Sequence, residues 1–226
     1  MINGKRTRAL PAAGLIIVGL LASSLGAATY ESRRLALAVG LNGNFNMNSA
    51  EDHRNAFGFG ATLLIALTRN FALELSGQYS RCSTLGDMAA PNASLSQGVL
   101  QRIPVQMMIQ VRVPFGAFPL VPYITGGGGL SFNSFTLDAG MVAAYQGFGF
   151  DIAENIKNSP VWCVGGGFDL IPSSHLIINI HFLYHSSLAS GDWSITDEIS
   201  GETVRGTLEP LNLKDMTLGL GLKFVF

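Results

Sequence analysis

The chain has 226 residues, 48% of them apolar, yet only 13% are charged and the net charge is −1. Soluble domains carry roughly 25% charged residues, so this composition argues against an ordinary water-soluble domain. It also argues against a nucleic-acid binder, which needs a basic face to meet phosphates. No internal run reaches the ~20 apolar residues of a spanning helix, while glycine is abundant, at 27 residues.

Residues 1–28 read as a secretory signal peptide. Lys5, Arg6 and Arg8 give a basic start, an apolar stretch runs from about Ala9 to Leu21, and Gly26-Ala27-Ala28 offers a small-residue cleavage site. An uncleaved anchor helix is the alternative, which Pro11 and the small-residue tail disfavour. No Cys directly follows the leader, so a lipid anchor there is not expected. The mature chain, residues 29–226, then holds eleven basic and fifteen acidic residues, a net −4.

From there the sequence alternates apolar and small or polar residues eight times, the period of a strand with two unlike faces. The first strand, about Arg34 to Phe45, points Leu35, Leu37, Val39, Leu41 and Phe45 one way, and Ala36, Ala38, Gly40, Asn42 and Asn44 the other. The second, about Phe57 to Leu67, sets Phe57, Phe59, Leu63, Ile65 and Leu67 against Gly58, Gly60, Thr62 and Ala66. Thr68-Arg69-Asn70 turns into the third, about Phe71 to Ser80, with Glu74, Ser76 and Gln78 on its polar face.

The fourth, about Arg102 to Val113, alternates Ile103, Val105, Met107, Ile109 and Val111 with Arg102, Gln106, Met108, Gln110 and Arg112. Pro104 would be awkward in a regular central ladder, so a bulge or the upper rim is expected there. The fifth, about Val121 to Phe132, contains Gly126 to Gly129, which weaken a strand unless something packs closely on the backbone or the wall bends. The sixth, about Val161 to Leu170, turns Trp162, Val164 and Phe168 out and Cys163, Gly165, Gly167 and Asp169 in. The seventh, about His175 to His185, carries His175, Ile177, Asn179, His181, Leu183 and His185 inward. The eighth, Leu213 to Phe226, sets Met216, Leu218, Leu220, Leu222, Phe224 and Phe226 against Thr217, Gly219, Gly221, Lys223 and Val225.

Here the polar, small set is the inner one, and it is too small and polar to be a soluble core. A soluble sandwich or lipocalin-like barrel would bury the apolar face instead. Connections at 68–70, 114–120 and 171–174 are short, and those at 46–56, 81–98, 133–160 and 186–212 are long. Short periplasmic turns and long outer loops are the outer-membrane pattern. The expected fold is all-β: an eight-stranded antiparallel up-and-down transmembrane β-barrel over residues 29–226, in a bacterial outer membrane.

Val121-Pro-Tyr-Ile-Thr-Gly-Gly-Gly-Gly-Leu-Ser-Phe132, Val164-Gly-Gly-Gly-Phe-Asp169 and Leu208-Glu-Pro210 resemble segments of small outer-membrane barrels of the OmpA, OmpW and opacity-protein type, and the OmpW-like barrels most. That resemblance implies a narrow channel with an apolar lumen, or an envelope-stabilising barrel. Its partners would be outer-membrane lipid or lipopolysaccharide, with the terminal Phe226 addressed to the barrel assembly machinery, and no cofactor or nucleic acid. The alternative role is surface adhesion or recognition through the third and fourth outer loops, whose Asp192, Asp197, Glu198 and Glu202 could meet a divalent cation or a basic partner.

The inward charges depart from an apolar lumen. Glu74, Arg102, Arg112, Asp169, Asp215 and Lys223 are the candidate site, since an eight-stranded barrel leaves an interior just wide enough for side chains and buried charges must pair. They form either a plug or a thin polar path gated by those pairs. Leu64, Met108, Ile177 and Leu183 supply the large apolar groups. No metal site is expected: His181 and His185 lie about 13 Å apart along one strand face, too far for one ion, and His53 is in a loop. His185 and Ser187 share a face, like the His-x-Ser pair of barrel lipid A deacylases, and Glu198 could stand in for their acid; Leu188 stands where those enzymes have Asn, so no enzyme is expected. Cys82 and Cys163 are either a disulfide, as export permits, or two unpaired small residues in the wall.

Overall fold

A computed structural model describes residues 36–48, 54–85, 96–115 and 119–226. The expected leader, Arg34 and Leu35 of the first strand, and His53 lie outside these residues. Among the described residues the strands are β1 (Ala36–Asn48), β2 (Ala56–Ala66), β3 (Phe71–Leu85), β4 (Gln97–Arg112), β5 (Leu120–Leu137), β6 (Phe150–Ile156), β7 (Ser159–Ser173), β8 (Leu176–Asp197) and β9 (Thr203–Val225), with one helix, α1 (Ala139–Gly147).

Eight of these strands close on themselves. Each pairs antiparallel with the next, β5 passes directly to β7, and β9 pairs with both β8 and β1, through Phe224 with Leu176 and Val225 with Ala38. The alternation then sorts every side chain. Leu41, Phe57 and Ile124 stand 72%, 81% and 67% exposed on the outside, while Asn42, Thr62 and Thr125 on the same strands are buried. Moving one such large apolar side chain from water into hydrocarbon is worth roughly 1.5–3 kcal/mol, so the outer belt drives the barrel into lipid. The turn from β2 to β3 is set by Thr68, whose hydroxyl accepts from the Asn70 and Phe71 N–H groups at 3.2 and 3.0 Å.

The glycine run in β5 answers a close approach. A Cβ on Gly127 would lie 2.1 Å from the Met107 carbonyl oxygen, and one on Gly129 would lie 1.9 Å from that of Val105. The wall therefore coils tightly where β4 and β5 meet. Pro104 needs neither a bulge nor the rim. The β3–β4 register is unbroken, and its pairs pass from Gly77–Val105 to Ser80–Arg102. The missing N–H costs a short lapse in one ladder, while Pro104 stays opposite Ser131 in the other. Register shifts lie elsewhere: β7 gains a residue between Leu170 and Ser173, and Ala189 pairs with Leu211 but Gly191 with Leu208, so β9 carries one extra residue at Glu209–Pro210.

Two expectations need correction. His175 is not an inward strand residue; it sits exposed in the turn between β7 and β8, and its ring nitrogen pairs with Ser174. The third and fourth long links are not loops throughout. β8 runs 22 residues and β9 23, twice the ~9–11 residues a bilayer needs, and β6 pairs with the upper part of β8. They form a three-stranded sheet standing beyond the barrel. Its tip closes at Asp197, whose carboxylate accepts from the Ile199 and Ser200 N–H groups, with Gly201 at φ 73°. α1 begins at Asp138, whose side chain caps Gly140 and Met141.

Gly129→Ala is expected to lower stability by about 1–3 kcal/mol, the range for forced overpacking. Gly77→Ala, with open space at its Cβ, is expected to stay within about 0.5 kcal/mol. Urea unfolding in detergent micelles, followed by tryptophan fluorescence, measures both.

Candidate functional site

Register decides which inward side chains meet. At the short-turn end the lumen is filled by Leu64, Ala72, Val121, Ile171, Ile177 and Val225. Above this apolar floor lie two ion pairs. Arg112 reaches Asp169 at 2.6 Å, and Lys223 reaches Glu74 at 2.9 Å. Asn179 donates to the other Asp169 oxygen at 2.7 Å and to the Tyr123 hydroxyl at 2.8 Å, and its own oxygen meets His181 Nδ1 at 2.8 Å. Gln110 donates to Glu74 at 2.6 Å. One level higher, Arg102 reaches Asp215 at 2.9 Å, and His185 Nδ1 lies 3.3 Å from the other Asp215 oxygen. Thr217 donates to Asn46 at 2.7 Å. A second apolar cluster, with Leu100, Ile156, Ala189, Leu208 and Leu213, closes the far end, and Phe135 and Trp193 pack against it.

All six candidate charges thus face inward and fall into three acid–base pairs. Glu74 stands with the acids, taking Lys223, while Asp169 and Asp215 each take one arginine. Each of the six keeps 7% or less of its exposure, and Asp169 keeps none. Three positive and three negative side chains leave the band neutral, which is the condition for holding charge in a narrow interior.

The remaining sequence candidates are placed differently. His185 turns to Asp215, and the Ser187 hydroxyl pairs with that of Ser159 at 2.8 Å, so the His-x-Ser pair is not joined. Glu198 sits in the exposed turn at the tip. Cys82 and Cys163 are both buried and free, so the disulfide alternative is not formed. Among the described residues no three His, Cys, Asp or Glu side chains gather as metal ligands. Sequence reasoning missed the partners that complete the band, Asn179, Tyr123 and Gln110. Their inward parity was readable, and the register that joins them was not.

Outside the barrel, one clasp ties the upper sheet to the rim. Glu154 of β6 accepts from the Ser96 hydroxyl and from its N–H, the latter at 3.3 Å. Burial pushes the Glu154 carboxyl above its ordinary value, against the pull of those two Ser96 bonds.

Residues 15–226 match the family described as the outer membrane protein beta-barrel domain. A comparison with curated protein sequences finds no significant match. Similar solved structures include the outer membrane protein OprG from Pseudomonas aeruginosa, 14% identical over 84% of this chain and 95% of that one, with a TM-score of 0.53. A major outer membrane protein from Thermus thermophilus is 11% identical over 84% and 99%, with a TM-score of 0.54. Neisserial surface protein A is 11% identical over 86% and 98%, with a TM-score of 0.51. At such identities the likeness is one of fold, and it does not single out the OmpW type that the Val121–Phe132 segment resembles.

Two outcomes follow. Arg112→Ala leaves the Asp169 carboxylate buried without its cation and is expected to cost about 3–5 kcal/mol, whereas Arg112→Met with Asp169→Leu is expected to be near neutral; unfolding in lipid vesicles tests the contrast. For Glu154, a carboxyl raised by folding stabilises below its unfolded pKa, and that contribution is lost as pH climbs through the raised value. Protection of the β6 amides against hydrogen exchange, corrected for intrinsic rates, should therefore rise on acidification through the carboxyl range. In Glu154→Gln it should stay flat.

Proposed function

The chain belongs to the outer membrane protein β-barrel family, and we propose that it works as a non-conducting, envelope-stabilising barrel that carries an extracellular sheet for surface recognition. It is an integral protein of the bacterial outer membrane, so the apolar belt faces lipid and the upper sheet stands outside the cell.

The observation that carries this reading is the filled lumen. Three buried ion pairs cross it between two apolar clusters. A path for solutes through the middle would separate at least one pair, and each unpaired ion in so dry a place costs several kcal/mol. The upper sheet supports the second half of the proposal. A stable barrel needs no strand of 23 residues, yet β8 and β9 continue well past the hydrocarbon and recruit β6. Ordered structure raised on a rigid base is where recognition is usually found.

One observation favours the narrow-channel reading. The amides of Asn42, Asn44 and Gln106 are buried inward without a protein hydrogen-bond partner, as the lining of a thin polar path would be.

Reconstitution in a planar bilayer separates the two. The wild-type protein is expected to be silent; discrete openings, altered by Lys223→Ala, would establish the channel instead. Replacing residues 139–156 and 190–208 with short turns is expected to abolish adhesion of expressing cells to a host surface while leaving heat-modifiable gel mobility intact. Unchanged adhesion would remove the recognition role.

A further inference from the structure

The upper sheet has two faces, and register assigns them. Residues directly opposed on neighbouring strands share a face. Glu154, Trp193 and Gly206 form one cross-strand row and turn toward the axis, with Ile156 and Leu208 beside them in the apolar cluster. The rows on either side turn outward: Asn155, Asp192 and Thr207 in one, and Ala153, Ser194 and Arg205 in the other. Between these two outward rows runs a trough of about 490 Å³, crossing all three strands, with the backbone of the middle row as its floor. Ala153, with only a methyl group, leaves one end of it open, while Gly206 makes room for the Trp193 ring on the opposite face.

Its position decides what it meets. Leu188 is an outward, lipid-facing residue of β8, 62% exposed. Asp192 is four residues further along the same strand, roughly 10 Å higher at 3.3 Å per residue and an ordinary barrel tilt. The trough therefore opens sideways, in the direction of the surrounding lipid, but at the height of polar headgroups. In the outer leaflet of this membrane those headgroups are saccharides.

The lining has the matching chemistry. One wall offers an amide, a carboxylate and a hydroxyl, and the other offers a hydroxyl and a guanidinium, a mixed set of donors and acceptors suited to sugar hydroxyls. Asp192 is engaged with Lys157 at 2.8 Å. Arg205 is exposed and forms no ion pair among the described residues, so a cation with a planar fork of donors stands ready for an anionic group. We infer that this trough is a binding site for an acidic saccharide. Asn155, Ser194 and Thr207 take its hydroxyls, and Arg205 takes a phosphate or carboxylate substituent. The site needs only the barrel's place in the outer membrane and is independent of whether the lumen conducts or the tip adheres.

The ligand chemistry has two sources, the headgroup of the membrane's own glycolipid or a free oligosaccharide, and the test carries an arm for each. In the first, the full protein in phospholipid nanodiscs is titrated calorimetrically with a phosphorylated core oligosaccharide released from outer-membrane glycolipid. In the second, native mass spectrometry counts intact glycolipid, or the same lipid stripped of its sugar chain, retained from micelles. Binding in either arm is expected to fall at least tenfold in Arg205→Ala and with the dephosphorylated saccharide, at unchanged heat-modifiable mobility. Binding in both arms assigns the site to the saccharide alone; binding only in the second assigns it to the anchored headgroup. No binding in either arm, or binding indifferent to Arg205 and to the phosphate, overturns the site.

Discussion

No backbone amide or carbonyl can be left unpaired in hydrocarbon, and the whole structure depends on the seam where that requirement is met last. β9 joins β1 on one side and β8 on the other. Eleven consecutive residue pairs, from Ala38–Val225 to Asn48–Asp215, hold the β1 side without a register shift. A sheet with free edges here would expose two rows of polar groups to lipid. Once the seam is made, side-chain parity is fixed around the whole ring, and with it which residues meet lipid and which meet each other.

The lumen follows from that closure. Eight strands leave room for side chains and little else, so the inner face must be small where the wall coils and self-complementary where it carries charge. Gly219 illustrates the first demand: a Cβ there would lie 2.1 Å from Nε2 of His181, so the imidazole occupies space that only glycine leaves. The three ion pairs illustrate the second. Each joins strands far apart in sequence, Glu74 to Lys223 across 149 residues and Arg102 to Asp215 across 113. These two pairs reach β9 from β3 and β4 and span the lumen at two heights, whereas Arg112 and Asp169 join β4 to β7 across the single intervening strand β5.

This division explains what could be read from the sequence. Parity is local, so the outward Leu41, Phe59, Ile124 and Phe182 and the six inward charges were legible strand by strand. Pairing is not local. That Glu74 takes Lys223, or that Asn179 bridges Asp169, Tyr123 and His181, follows from registers that no single strand encodes. The upper sheet was missed for a different reason. Above the lipid, alternation no longer contrasts grease with polarity: Asp192-Trp193-Ser194-Ile195-Thr196 has the same period as a wall strand but is flanked by turn-forming residues that read as loop. α1 was equally faint. Ala139–Gly147 has no apolar stripe, and only its Asp138 cap marks a helix start.

The boundary between the two regions rests on one extra residue. Below Glu209–Pro210 the odd-numbered residues of β9, Leu213, Asp215 and Thr217, face the lumen; above it the even-numbered ones do, as Leu208 does against Ala189 and Ile156. A bulge adds twist and re-aims the side chains beyond it, and Pro210 sits where β9 has left β1 behind at Asp215 and pairs with β8 alone, so its missing N–H breaks no second ladder. Without that residue, Leu208 would turn outward and Thr207 inward, and the apolar cluster that closes the outer end would lose a member. Arg205 would leave the outer face as well. The same single step in register thus seals the barrel and determines which side chains the sheet above it shows to the membrane surface.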